Sequence, residues 1–389
     1  MELVSEKNRE RGTASGGGRV LAVALCLASF LGAAALLDAA LPRPDDSALT
    51  TKLDVLEGSQ RDVELLFVGS STVYRHVDPA LFERVLLQRG HPMRTYNMGV
   101  PAMAGLETLF ALERILDLDL PDLKWIVLDA HQQGHVLAGD NHLTARVAWW
   151  HDLPTALLAC RMVWQSEQPL AWRLDQLRRH VVAFCYRLGN VGRLRELIEP
   201  VVTGNPSHRA DQRAEREADR VMERGRAGDG FAPLEWAFAN ANGLQRSFLV
   251  ERRAAWEKET HALLSGLGQA RALGWPLRRH DGELRDDQTL TPAEQELLSR
   301  MIERIRARDI RLVFLNSPDV RQIAYLLRGG QRSGLVDAVL DLDDPEAYPT
   351  LFKARHRFDR DHLNEAGAQL YTRALAELFV RHLEAQDSP

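Results

Sequence analysis

The spacing of apolar and polar positions changes several times along this chain of 389 residues, and each change marks an element. Val63-Glu-Leu-Leu-Phe-Val68 is a short β-rich apolar run that stops at Gly69 and predicts a first strand. Leu81, Val85 and Leu86 then recur on one helical face. Asp78 suits the N-cap of that helix, Pro79 its first position and Gly90 its stop. Met93 to Asn97 predicts a second strand, Leu106 to Leu116 a helix and Trp125 to Leu128 a third strand. Such alternation with short connections predicts parallel strands covered by helices. From His142 to Asp287 the periodicity is helical and no strand stands out. The alternation resumes with the capping-box pair Thr291 and Glu294 around Pro292. Strands at Arg311 to Leu315 and Leu335 to Leu342 follow, then a last helix from Asn364 to about His382. The expected class is α/β: a parallel five-stranded sheet flanked by helices, within residues 62–389 and interrupted by a helical insertion at 142–287.

One run is too apolar for that scheme. Val20 to Leu37 are 18 residues without a charge, close to the length that spans a bilayer as a helix. Lys7, Arg9, Arg11 and Arg19 precede the run, and Asp38, Asp45 and Asp46 follow it. The positive-inside rule then predicts a cytoplasmic tail (1–19), a transmembrane signal anchor (20–41) and a tether (42–61) leading to an extracytoplasmic domain. Small residues at Ala33, Ala35, Ala39 and Ala40 keep a cleavable signal peptide as the competing reading, and a buried soluble helix is the third.

Composition narrows the classes. With 45% hydrophobic and 26% charged residues the chain can bury a core, which excludes wholesale disorder. A net charge of −5 lacks the basic excess of a nucleic-acid binder, so no such partner is expected. Three cysteines exclude a disulfide scaffold. Cys26 lies in the apolar run; Cys160 and Cys185 form one disulfide or remain two thiols on helices.

Two loops carry the chemistry. Gly69-Ser70-Ser71-Thr72 follows the first strand, and loops beyond strand C-termini build the sites of parallel sheets. Asp359-Arg-Asp361-His362-Leu-Asn364 precedes the last helix. A serine hydroxyl needs an imidazole to take its proton and a carboxylate to hold the imidazole's tautomer. Ser71, His362 and Asp359 supply those three groups. Either loop alone is weak, since a Gly-Ser-Ser is usually a turn and a histidine at a helix start usually a cap. Their combination is the signal.

Here the chain resembles the SGNH (GDSL-like) hydrolase superfamily over residues 62–135 and 291–382, with the insertion unmatched. The resemblance implies a flavodoxin-like three-layer fold, Ser71 as nucleophile with Ser70 where the family has Asp, and the Asp359–His362 pair. Tyr96-Asn97-Met98-Gly99-Val100 looks like the second block, which implies an oxyanion hole from the N–H groups of Ser71 and Gly99. The third block departs: Leu128-Asp129-Ala-His131-Gln132-Gln133 lacks the family's asparagine, leaving Gln132 or Gln133 as the side-chain donor there. Losing one such donor typically costs about 100- to 1000-fold in rate. The variant loop and divergent third block look like membrane-anchored relatives in bacterial envelope work, among them proteins of alginate acetylation and teichoic-acid alanylation. The implied activity is a serine esterase or O-acyltransferase handling a small acyl group on an extracytoplasmic carbohydrate polymer. It needs no cofactor or metal and works beside a membrane-bound acyl-transfer partner. A catalytically degenerate scaffold or polymer-binding subunit on the same fold is the rival reading.

Other residues have two readings each. Ser70, Asn97, His131 and Asn316 are expected to line the substrate pocket, although turn chemistry alone explains Asn316-Ser317-Pro318. His131 and His135 have i, i+4 spacing, and with His142 they line a loop or hold a metal. His76 is an alternative base or a surface residue. Trp149, Trp150 and Trp164 pack in a core, stack on sugars or sit at a bilayer interface. Arg173 to Arg179 is the polar face of an amphipathic helix, with Leu174, Leu177 and Val181 on its apolar side, or touches anionic lipid or an acidic polymer.

Overall fold

The computed structural model describes residues 16–41, 48–58, 62–103, 105–129, 136–137, 144–190, 220–240, 246–247, 249–258, 290–318, 325–359 and 361–387. Helix α1, Gly16–Ala40, contains a candidate membrane span, Gly18–Asp38, with mean hydropathy 2.6 and 6% of it buried. By length and composition it can cross a bilayer. Its C-terminal end meets the insertion: Arg187 pairs with Asp38 at 3.0 Å, and Asn190 donates to the Ala34 carbonyl.

The expected tether is only partly a tether. Ala48–Gly58 forms helix α2, and Leu49, Leu53 and Leu56 are buried in the main core. Those leucines recur at i, i+4 and i+7, a pattern that a packed helix requires and an extended linker does not.

Strand β1, Leu65–Gly69, leads directly into helix α3, Ser71–His76, and then helix α4, Pro79–Gln88. Asp78 caps α4 by accepting the Leu81 N–H at 3.0 Å, and Pro79 occupies its first turn. Strand β2, Thr95–Gly99, helix α5, Gly105–Leu116, and strand β3, Trp125–Leu128, follow. The described insertion is helical, with α6 (Ala145–Trp150), α7 (Leu153–Gln165), α8 (Leu170–Leu188) and α9 (Leu234–Asn240), plus helical stretches at 220–224 and 249–258. Helix α10, Pro292–Arg306, opens on the Thr291–Glu294 capping box. Strand β4 is Arg311–Asn316, helix α11 Tyr325–Arg332, strand β5 Val339–Asp341 and helix α12 Glu365–Asp387. The fifth strand is shorter than expected, and α3 and α11 were not anticipated.

All four ladders are parallel and the strand order is β2-β1-β3-β4-β5. Side chains alternate across the sheet as the pleat demands. Leu66, Val68, Tyr96, Met98, Ile126 and Leu128 face the core built with α2, α5 and α10. Leu65, Phe67, Trp125, Val127, Val313 and Leu315 face the core built with α4 and α12. The order reverses between β1 and β3, so a crevice opens beyond their C-terminal ends.

The insertion settles several open readings. Cys160 on α7 and Cys185 on α8 are free thiols. Trp149 and Trp150 are buried in the core, whereas Trp164 is 56% exposed. Helix α8 buries Gln176, His180 and Ala183 and leaves Leu174 and Val181 exposed, the reverse of an ordinary amphipathic helix.

Candidate active site

Ser71 is the first residue of α3, where the chain leaves β1, and its hydroxyl stands at the crevice. His362 reaches it from the loop before α12, with Nε2 2.9 Å from Ser71 Oγ. His362 Nδ1 lies 2.9 and 3.0 Å from the two oxygens of Asp359. A ring nitrogen between carboxylate oxygens carries the proton, so Nε2 is left as acceptor for the serine O–H. The predicted relay of Ser71, His362 and Asp359 is therefore assembled.

Several bonds carry the two loops to each other. The Leu363 N–H donates to His76 Nε2 at 2.9 Å, Thr372 Oγ1 to the His76 carbonyl at 2.9 Å, and the Asp78 N–H to Thr372 Oγ1 at 3.1 Å. His76 is fully buried and its Nε2 is occupied, so it is neither a surface residue nor an alternative base. It fastens α3, which carries Ser71, to the loop that carries His362.

Asp359 is 3% exposed and saturated with donors. Its Oδ1 accepts the N–H groups of Asp361 and His362, both at 2.8 Å, and its Oδ2 accepts Arg252 Nε at 2.8 Å. Burial pushes this carboxyl up, but the bond and charge of His362, followed by the Arg252 cation, outweigh it and hold Asp359 well below the usual carboxylate range. Asp359, Asp361 and His362 offer ligand atoms within 4.8 Å of one another. Arg252 and the imidazole already occupy that oxygen set, which fits a relay better than a metal cage.

Other expected site residues have different work. Asn97 is fully buried: its Nδ2 donates to the Val73 and Val77 carbonyls, and its Oδ1 accepts the Gly99 N–H, each at 2.8 Å. It staples α3 to β2 and does not line a pocket. The Gly99 N–H is consequently engaged and is not an oxyanion donor. A Cβ at Gly99 would lie 2.3 Å from the Tyr74 nitrogen, so this glycine serves the close approach of α3. Asn316 donates to Asp341 Oδ1 at 2.8 Å and ties β4 to β5 instead of facing substrate. Ser70 is buried and bonds Thr72 Oγ1 at 3.0 Å. His131, His135, His142, Gln132 and Gln133 lie outside the described residues. The Ser71 N–H remains at the start of α3, where helix geometry provides no internal acceptor. Ala102, in the loop after β2, has φ 55°, is exposed, and makes no N–H hydrogen bond among the described residues.

Two features escaped the sequence. Asp129, directly after β3, accepts Thr72 Oγ1 at 2.7 Å and Ser317 Oγ at 3.1 Å, and Tyr371 OH lies 2.8 Å from Ser317. This hydroxyl chain links the ends of β3 and β4 to α3 and α12. Burial, then the Asp129 charge, pushes the Tyr371 phenol up and keeps it a neutral donor. The second feature is Lys52 on α2, fully buried, with Nζ 2.8 Å from the Asn97 carbonyl and 2.7 Å from the Gly230 carbonyl. Burial lowers its amine, offset in part by the Glu223 carboxylate. Its ammonium lies 4.2 Å over the Tyr74 ring, which Arg75 also covers at 4.1 Å. The leucines flanking Lys52 were the available signal for a helix; nothing local marks the lysine as buried.

No protein-family model matches the chain, and no curated protein matches it.

Proposed function

We propose that this chain is a membrane-anchored serine esterase or O-acyltransferase, acting outside the cytoplasm on a small acyl ester of an envelope carbohydrate polymer. The observation that carries this reading is the continuous relay from Ser71 Oγ through His362 to Asp359. A relay of this kind serves acyl transfer. Ser71 Oγ attacks the acyl carbonyl while His362 Nε2 takes its proton. The bond to the leaving alcohol breaks and His362 returns the proton to it. Water or a second alcohol, deprotonated by the same nitrogen, then resolves the acyl-enzyme. The Ser71 N–H supplies oxyanion stabilisation at the helix start. The apolar helix α1 supports the anchor, and the basic residues Lys7, Arg9, Arg11 and Arg19 before it support the outward orientation.

The test is fluorophosphonate labelling of the full chain in detergent, with peptide mass mapping. Labelling at Ser71, lost in His362→Ala, is the expected result. No labelling of a chain shown to be folded would favour a non-catalytic polymer-binding subunit. Turnover of an acetyl ester, with and without a polysaccharide acceptor, then separates hydrolysis from transfer.

A further inference from the structure

Part of the insertion, residues 220–240 and 249–258, touches both halves of the relay. On the serine side, the Asn97 N–H donates to the Asp229 carbonyl at 3.0 Å, Tyr74 OH to the Met222 carbonyl at 2.9 Å and Arg75 Nη1 to the Ala232 carbonyl at 2.8 Å. The approach is close enough that a Cβ at Gly230, which has φ +83°, would fall 2.0 Å from the Asn97 oxygen. On the histidine side, Phe358 packs with Met222, Leu234, Ala237 and Leu249. Glu235 accepts the Glu365 N–H at 3.0 Å, and Arg226 pairs with Glu365. At the centre of this second contact is Arg252. Its Nε donates to Asp359 Oδ2 at 2.8 Å and its Nη2 to Asp361 Oδ2 at 2.7 Å.

We propose that Arg252 is a positioning residue of the relay: its fork across Asp359 and Asp361 fixes the carboxylate that orients His362, so that docking of the insertion completes the site. This rests on the serine-relay reading above. A fork of fixed N–H directions sets the rotamer of both carboxylates at once, which a point charge does not do. Arg252 also places a cation against the Asp359 carboxylate that the imidazole faces. Among the described residues, the other groups facing His362 are Asp359 and Asp361 on its own loop and, from α3, the His76 ring at 6.0 Å and the Ser71 hydroxyl. Arg253, beside Arg252, is turned to the Phe358 carbonyl at 3.2 Å.

The measurement is the pH profile of fluorophosphonate labelling at Ser71 in the full chain. In Arg252→Gln the acid limb is expected to move up by about one pH unit, because a cation near the imidazole is gone, and the alkaline plateau to fall. In Arg252→Lys the limb should stay and the plateau should still fall. A folded Arg252→Gln chain with an unmoved limb would overturn the proposal, whether or not its plateau drops. If Arg252→Gln does not fold, Arg252→Lys carries the test: wild-type limb and plateau together, or a moved limb, would overturn it. A wild-type chain that does not label removes the serine-relay reading and this inference with it. Wild-type labelling with an unaffected Arg252→Gln profile removes this inference alone.

Discussion

Asn97 Oδ1 accepts the backbone N–H of Gly99 at 2.8 Å, while the Asn97 amide holds the Val73 and Val77 carbonyls of α3 and its C-cap. The end of β2 is thereby committed to carrying Ser71. Gly99→Ala should force α3 away from β2, since the added carbon meets Tyr74 backbone atoms at 2.3 and 2.7 Å. The expected outcome is a lower urea midpoint together with lost Ser71 labelling. Asn97→Ala strips the same staple and leaves buried backbone groups unpaired, each at a cost of about 1–3 kcal/mol. It should show both effects too, read by denaturation and labelling in parallel.

Asp359→Asn should keep the loop but favour the wrong imidazole tautomer. A comparable change elsewhere lowers kcat about 10⁴-fold, and a loss of that order is expected in Ser71 labelling. Its stability signature has a definite sign. The folded-state pKa of Asp359 is depressed, so its contribution is full above the unfolded carboxylate pKa of about 4 and is lost as pH falls from there through the folded value. The gap in melting temperature between wild type and Asp359→Asn should narrow as pH falls below about 4.

Lys52 makes the residues just beyond the apolar helix part of the folded body. Lys52→Met removes the ammonium from two buried carbonyls and from the charge cluster with Glu223 and Arg75. A loss on the order of 3 kcal/mol in unfolding free energy is expected, measured by urea denaturation. A soluble fragment that begins at residue 62 should fold poorly, and one that begins at residue 46, retaining α2, should fold.

His151 on the insertion has Nε2 3.0 Å from His180 Nδ1 and Nδ1 2.7 Å from the Val147 carbonyl. Burial, reinforced by the His180 charge, pushes its pKa down to about 3. A histidine depressed in the folded state favours the unfolded chain as pH drops below the unfolded value of about 6.5. Stability of the α6–α8 region should therefore decline by up to about 1.4 kcal/mol per pH unit below that point. Hydrogen exchange in α7 and α8 at pH 7 and pH 5 reads the effect, and His151→Gln should flatten it.

Much of the frame was legible because it rests on local rules. Asp78-Pro79 and Thr291-Pro292 cap their helices as their side chains dictate. Strands β1, β3 and β4 lie where short apolar runs were found, because strands buried on both faces read as continuous hydrophobic stretches. The relay residues were legible from loop position and residue type. Asn97 and Asn316 were assigned to the substrate pocket for the same reason, and there the reading failed. A polar residue at a strand's C-terminal edge reads the same in sequence whether it faces a pocket or holds a neighbouring helix.

The sequence by itself determined the α/β alternation, the apolar N-terminal helix, the insertion between the third and fourth strands, and the three residues able to form a serine relay. These follow from periodicity, caps and side-chain chemistry, all short-range properties. Only the tertiary structure decided how the relay closes across 291 positions, that Asn97 holds the Val73 and Val77 carbonyls, that Lys52 is buried against the Gly230 carbonyl, and that Arg252 joins the insertion to Asp359. Those are contacts between residues far apart in the chain. They form only because parallel strands bring distant loops to one edge of the sheet, where burial makes each polar group find a partner.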